Sequence, residues 1–113
     1  MRVEIVNHIE FKRNFKRLAK KYRSLPKDYE KLLNSIEENP LQGDSLGNNT
    51  YKVRMAIASK GTGKSGGARV ITYAVTALTP DEYRVTLLTI YDKSEMESVR
   101  DTYIQSLISE VND

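Results

Sequence analysis

Five residues between positions 52 and 93 have the types and spacing for phosphate chemistry. From Tyr51, the residues Tyr51, Val53, Met55 and Ile57 alternate with Lys52, Arg54, Ala56 and Ala58. Alternation with period two reads as a strand, and shared parity places Lys52 and Arg54 on one side of it. Arg69 opens a second β-branched stretch, "ARVITYAVTA", and shares its side with Ile71 and Tyr73. Tyr91 and Lys93 share a side at the end of a third, whose "VTLLTIY" is apolar on both faces as a central strand should be. If the three strands form a meander, Lys52, Arg54, Arg69, Tyr91 and Lys93 converge on one face. Like charges gathered on a sheet cost stability, so the arrangement asks for an anion. An RNA backbone supplies one, with Tyr91 or Tyr73 available to stack on a base. The competing reading pairs Lys52, Arg54 and Arg69 with Asp or Glu across the sheet.

If such a face also cuts the RNA it binds, the reaction needs no metal. The ribose 2′-OH attacks its own phosphorus in line with the departing 5′-oxygen, leaving a 2′,3′-cyclic phosphate and a 5′-hydroxyl. Three tasks follow: deprotonate the 2′-OH, hold the charge on the phosphorane oxygens, and protonate the leaving oxygen. Arg54 and Arg69 suit the second, because forked guanidinium donors match phosphate oxygens. Lys52, Tyr91 and Lys93 are the candidates for the proton transfers, and residue types alone do not divide those roles. The chain has one histidine, His8, at a strand-to-helix junction far from these strands. A single His with no carboxylate or second His beside it reads as structural.

The loop between the first two of these strands, "KGTGKSGG", contains Gly63-Lys64-Ser65, the end of a phosphate-binding P-loop. The full motif fails, because Ala58 stands where its first glycine belongs and a strand, not a helix, follows. Asp92 is the one acidic residue placed for a magnesium role. The stretch reads instead as a glycine-rich hairpin loop, with Lys60 and Lys64 on an RNA-binding rim above the strands.

The elements that must hold this face in place precede it. Val3–Val6 is a short strand. Phe11, Phe15, Leu18 and Tyr22 recur at helical spacing over Ile9–Arg23, with Lys12, Arg13, Lys16, Lys20 and Arg23 on the other faces. A second helix begins with Pro26 in its first turn and carries Tyr29, Leu32, Leu33 and Ile36 to Asn39-Pro40. Residues 41–49 form a loop. After the strands, Ser94 with Glu97 reads as a capping box opening a helix to about Val111. The expected order is β-α-α-β-β-β-α in one α+β domain spanning 1–113, with two N-terminal helices on a small antiparallel sheet and one helix after it.

Composition narrows the setting. The 113 residues contain no cysteine, which excludes disulfide, thiolate and Cys-metal chemistry. No apolar run approaches the ~20 residues of a membrane span, and the N-terminus lacks an export signal, so a cytoplasmic protein is expected. Residues 1–27 carry nine Lys/Arg against Glu4 and Glu10, a net of about +7, while the rest is net acidic. Such polarity suits a chain that lays one end on a polyanion. Lys16 and Lys20 on the first helix are therefore candidate RNA contacts as well.

The element order, the "YKVR" strand, the "KGTGKSGGARVITY" hairpin and "LLTIYDKSEM" before the last helix resemble the RelE/ParE superfamily of type II toxins, closest to its HigB/RelE mRNA interferase branch. The resemblance covers nearly the whole chain; the hairpin and "LLTIYDK" are its more specific parts. It implies a toxin held inactive by a cognate antitoxin, in a complex that can reach higher order, which cuts mRNA in the ribosomal A site and so inhibits translation. It places the family's basic strand residues on Lys52 and Arg54, the arginine after the glycine loop on Arg69, and the closing aromatic-basic pair on Tyr91 and Lys93. It implies no cofactor and no metal. Two alternatives stand beside it: a ParE-like inhibitor of DNA gyrase with the same fold, and a non-catalytic RNA-binding module.

Overall fold

The computed structural model describes every residue except Thr62, Lys64, Leu78, Asn112 and Asp113. Strand β1 (Arg2–Asn7) leads into helix α1 (Ile9–Lys21) through His8. His8 is the N-cap, its Nδ1 accepting the Glu10 N–H at 3.0 Å, which satisfies one of the donors a helix start leaves over. That bond leaves the ring proton on Nε2, 3.2 Å from Glu110 Oε1, so the lone histidine joins the start of α1 to the end of the chain. Phe11 and Leu18 are buried and Phe15 packs beside them, as the apolar stripe requires. Lys12, Lys16 and Lys20 lie exposed on the other side of the helix. Helix α2 (Leu25–Glu38) has Pro26 in its first turn, where a missing N–H costs nothing, and buries Leu25, Leu32 and Ile36. It ends at Asn39, whose helical conformation Pro40 disfavours.

The region read as a loop holds an additional strand. β2 (Asp44–Gly47) pairs antiparallel with β3 (Thr50–Met55) around a turn in which Gly47, Asn48 and Asn49 all have positive φ. Every residue of β2 is exposed, so no apolar alternation marks it in the sequence. A 3₁₀ turn at Ala58–Lys60 and the glycine loop separate β3 from β4 (Ala68–Thr76). β5 (Glu82–Asp92) follows. The sheet order is β1-β5-β4-β3-β2, and β1 runs parallel to β5. The expected small antiparallel sheet is therefore a five-stranded mixed one. Which strand β1 joins is a tertiary matter on which its own residues are silent.

The helix expected to follow an N-cap at Ser94 begins six residues later. α3 spans Asp101–Ile108 with Arg100 at its N-cap position. Asp92 accounts for the difference. Its Oδ1 accepts the Ser94 N–H at 2.9 Å and the Ser94 hydroxyl at 2.7 Å, while its carbonyl takes the N–H groups of Glu95 and Met96. The side chain read as a cap is thus committed to a turn.

Two apolar clusters share the sheet. Phe11, Leu18, Leu25, Leu32 and Ile36 of α1 and α2 pack on Val53, Met55, Val70, Val85, Leu87 and Ile90. On the other side Ile104 and Leu107 of α3 pack on Ile71, Leu88 and Tyr91. Successive residues of a strand face opposite sides, so Leu87 faces α1 and α2 while its neighbour Leu88 faces α3. A register shift opposite Ile71 and Thr72, which pair with Thr89 and Leu87, then changes the parity and puts Ile90 on the α1–α2 side and Tyr91 on the α3 side.

Candidate functional site

Register places the three strands as the parity argument requires. Arg54 of β3 lies directly opposite Arg69 of β4, and Arg69 lies directly opposite Tyr91 of β5. Lys52 is one pleat along, opposite Ile71. The row crosses the side of the sheet that carries α3, and α3 covers only its β4–β5 part. Arg54 is exposed and Lys52 half-buried, while Arg69 and Tyr91 are only 5% and 3% exposed. The row thus runs from an open cation at β3 to a buried phenol at β5.

Among the described residues no carboxylate closes on the exposed cations of this face. Lys52, Arg54 and Lys93 make no ion pair among the described residues, although Asp44 stands opposite Lys52 in register. Arg69 is held by backbone: its guanidinium donates to Ala68 O at 3.2 Å and to Ser65 O at 3.0 Å. The second of these bonds ties the arginine to the glycine loop. Two guanidinium groups facing each other across a strand pair repel, and an anion between them would relieve that repulsion.

Tyr91 ends the row at β5. Its buried hydroxyl has no hydrogen-bond partner among the described residues. Burial pushes the phenol above its ordinary range and the Arg69 charge opposes that shift, so the group stays protonated at neutral pH. Lys93, half-buried just beyond the strand, is anchored through its backbone N–H to Gly67 O at 3.0 Å. Gly67 is tightly held: a Cβ there would sit 2.2 Å from Met55 O. Only glycine allows the end of the loop to pass this close to β3.

The remaining expected contacts do not gather around this row. Lys60 is turned away from it. Its ammonium lies 2.7 Å from Asp92 Oδ1 and 3.0 Å from Ser94 Oγ, on the side of the sheet that meets α1, and 5.7 Å from the Tyr22 ring centre. Lys64 lies outside the described residues. Lys16 and Lys20 are exposed on α1, across the sheet from Lys52 and Arg54. Tyr73 is half-buried and packs into the α3 cluster, one pleat beyond Ile71 on the side of Arg69.

Asp92 is the residue whose importance the sequence conceals. It is wholly buried and accepts from Tyr22 at 2.5 Å as well as from Lys60 and Ser94, with Lys21 Nζ 3.8 Å away. Burial alone would raise its pKa, but the hydrogen bonds from Lys60, Tyr22 and Ser94 outweigh that and hold the carboxyl well below the usual carboxylate range. On the far side of the same loop base, Asp28 accepts the Ala58 N–H and the Ser24 hydroxyl, and Ser24 accepts the Ser59 N–H. The loop is therefore clamped at residues 58–60 and again at Gly67. The sequence signal for the clamp was Asp-x-Ser at the end of an apolar strand, which also fits a metal ligand.

Among the described residues no group of three His, Asp or Glu side chains could hold a metal ion. No described helix is long and apolar enough to cross a membrane. No protein-family model matches the chain.

Proposed function

We propose that the protein is an endoribonuclease that cleaves mRNA through its own 2′-hydroxyl, acting on message held in the ribosomal A site as the toxin of a toxin–antitoxin pair. The observation that carries the reading is the cross-strand row Arg54–Arg69–Tyr91, in which two guanidinium groups and a protonated phenol stand side by side with Lys52 one pleat away. The resemblance to HigB/RelE interferases supplies the substrate setting and the antitoxin partner.

The scissile phosphate meets Arg54 and Lys52 at the surface and Arg69 beneath them. The 2′-oxygen forms its bond to phosphorus while the bond to the 5′-oxygen breaks. Arg54 and Arg69 hold the charge that grows on the non-bridging oxygens, where aimed donors matter most. Tyr91, kept protonated by burial, gives its proton to the departing 5′-oxygen once α3 uncovers its hydroxyl. The 2′-OH proton passes to Lys52 or Lys93, whichever stands as the neutral amine, because an ammonium has no lone pair to accept it. A site with so few proton carriers suits an enzyme whose substrate is aligned for in-line attack by a larger machine, because alignment alone removes much of the barrier.

The test adds purified protein to a defined translation reaction and maps mRNA 5′ ends by primer extension, with naked mRNA as control. New ends at the A-site codon only with ribosomes, carrying 5′-hydroxyls, are expected. Intact mRNA in both reactions contradicts the proposal, and DNA damage in cells expressing the protein would then favour the gyrase reading.

A further inference from the structure

The two edges of the sheet are finished differently. β2 ends it on one side with four exposed residues and a register shift against β3, features that discourage further pairing. β1 ends it on the other with six residues in unbroken register with β5, without proline or bulge. The N–H groups of Arg2 and His8 donate to Asp81 O at 3.1 Å and Leu87 O at 3.0 Å. In a parallel ladder alternate residues serve one neighbour, so Val3, Ile5 and Asn7 turn their N–H and C=O groups outward. Among the described residues no other main-chain group meets them.

Apolar surface gathers at the same edge: Ile9 is 77% exposed, Met1 63% and Val6 41%. At the far end of β1 a groove of about 260 Å³ runs between Val6, Ile9, Thr86, Glu110 and Val111. Glu110 stands there beside His8, with most of its carboxylate in solvent. At the near end Arg2 is exposed and makes no ion pair among the described residues. One strand thus carries a free cation at its start and a free anion beside its end.

We propose that β1 pairs antiparallel with β1 of a second copy about a two-fold axis at Ile5, joining two five-stranded sheets into one. The facing pairs are then Val3 with Asn7, Ile5 with Ile5 and Asn7 with Val3. Each exchanges two main-chain hydrogen bonds, about six in all. The same pairing sets Met1 of each copy against Ile9 of the other, and Arg2 against His8, where Glu110 supplies the opposite charge. Neighbouring registers lack this fit. A two-fold at Glu4 puts Glu4 against Glu4, and one at Val6 puts Glu4 against His8 and its Glu110, like charges in both cases. A strand of another protein would meet the same hydrogen-bonding groups, but the match of Arg2 to Glu110 and of Met1 to Ile9 is one this chain makes with itself. The contact lies at the end of the sheet away from Arg54 and leaves the cationic row open.

The experiment combines sedimentation equilibrium of the full chain over a wide range of concentration with amide hydrogen exchange on ¹⁵N-labelled protein. The mass should double as concentration rises, with the weak affinity that so small a contact allows. Exchange at Val3, Ile5 and Asn7 should slow over the same range, while Glu4 and Val6, already bonded toward β5, stay unchanged. Arg2→Glu and Glu110→Arg should each weaken the dimer by about tenfold, because a two-fold makes every contact twice. The protein carrying both exchanges should recover the parent's affinity. A monomer at every concentration overturns the proposal and leaves the edge to a strand of another protein. A dimer without concentration-dependent protection at Val3, Ile5 and Asn7, or one that both charge variants leave intact, assembles through another surface and overturns it equally.

Discussion

Two charged clusters meet at the end of β5, one residue apart in the chain, and they are built on opposite principles. Asp92 turns toward α1 and is saturated: Tyr22, Lys60 and Ser94 all donate to it, and solvent does not reach it. Tyr91 turns the other way and lines up with two arginines, with a hydroxyl that has no hydrogen-bond partner among the described residues. A buried charge with every lone pair used fixes structure. Arg54 and Arg69 stand directly opposite each other, an arrangement that an anion bound between them would favour. The first cluster is scaffold, and the second is the site on which the proposal rests.

The comparison breaks most readily at Asp92. Asp92→Ala leaves the Lys60 ammonium and the Tyr22 hydroxyl without their acceptor, and loss of one partner of a buried pair costs about 3–5 kcal/mol. Urea unfolding at neutral pH should show that loss; a variant as stable as the parent would make the cluster incidental. The same group sets an acid limb. Its folded pKa is depressed, so its contribution is complete above the unfolded value near ~3.9 and declines as pH falls below that toward the folded value. The parent should therefore lose stability more steeply below about pH 4 than Asp92→Asn does.

The next effect is on rate. Arg69→Lys keeps a charge but loses the fork that can hold a backbone carbonyl and a phosphate oxygen together. Cleavage on programmed ribosomes should fall by about 10²–10³, the scale of one lost transition-state donor. Unchanged rates would remove Arg69 from the site. A smaller effect falls on the hinge between the clusters. Gly67→Ala forces a methyl against Met55 O, and overpacking of that kind costs about 1–3 kcal/mol. Thermal unfolding measures it, and no change would mean that the chain relaxes around the loop end.

How much of this was legible in the sequence follows from which forces are local. The stripe Phe11, Phe15, Leu18 and the alternation around Val53 are period signals, and the helices and strands they mark lie where those periods place them. Parity likewise carried Lys52 and Arg54 to one side and Arg69 and Tyr91 to the same side, because a pleat has only two. What the sequence hid were choices between partners at long range. Lys60 had a glycine-rich loop around it and an anion to meet, and the anion it meets is Asp92, 32 residues away. Ser94 had the spacing of a cap, and the same carboxylate took it into a turn. β1 joined β5 in parallel, and β2 formed with no buried residue to announce it.

The central claim is that the cationic row is kept for an anion rather than for stability, and Arg54 tests it most directly because it is exposed and in no ion pair. Single-turnover mRNA cleavage on programmed ribosomes and urea unfolding should be measured together on Arg54→Ala. The account predicts cleavage reduced by about 10²-fold, with stability unchanged within about 0.5 kcal/mol or slightly raised as the repulsion with Arg69 is relieved. Full cleavage, or a clear loss of stability with cleavage following it down, would contradict the account and return the row to structure.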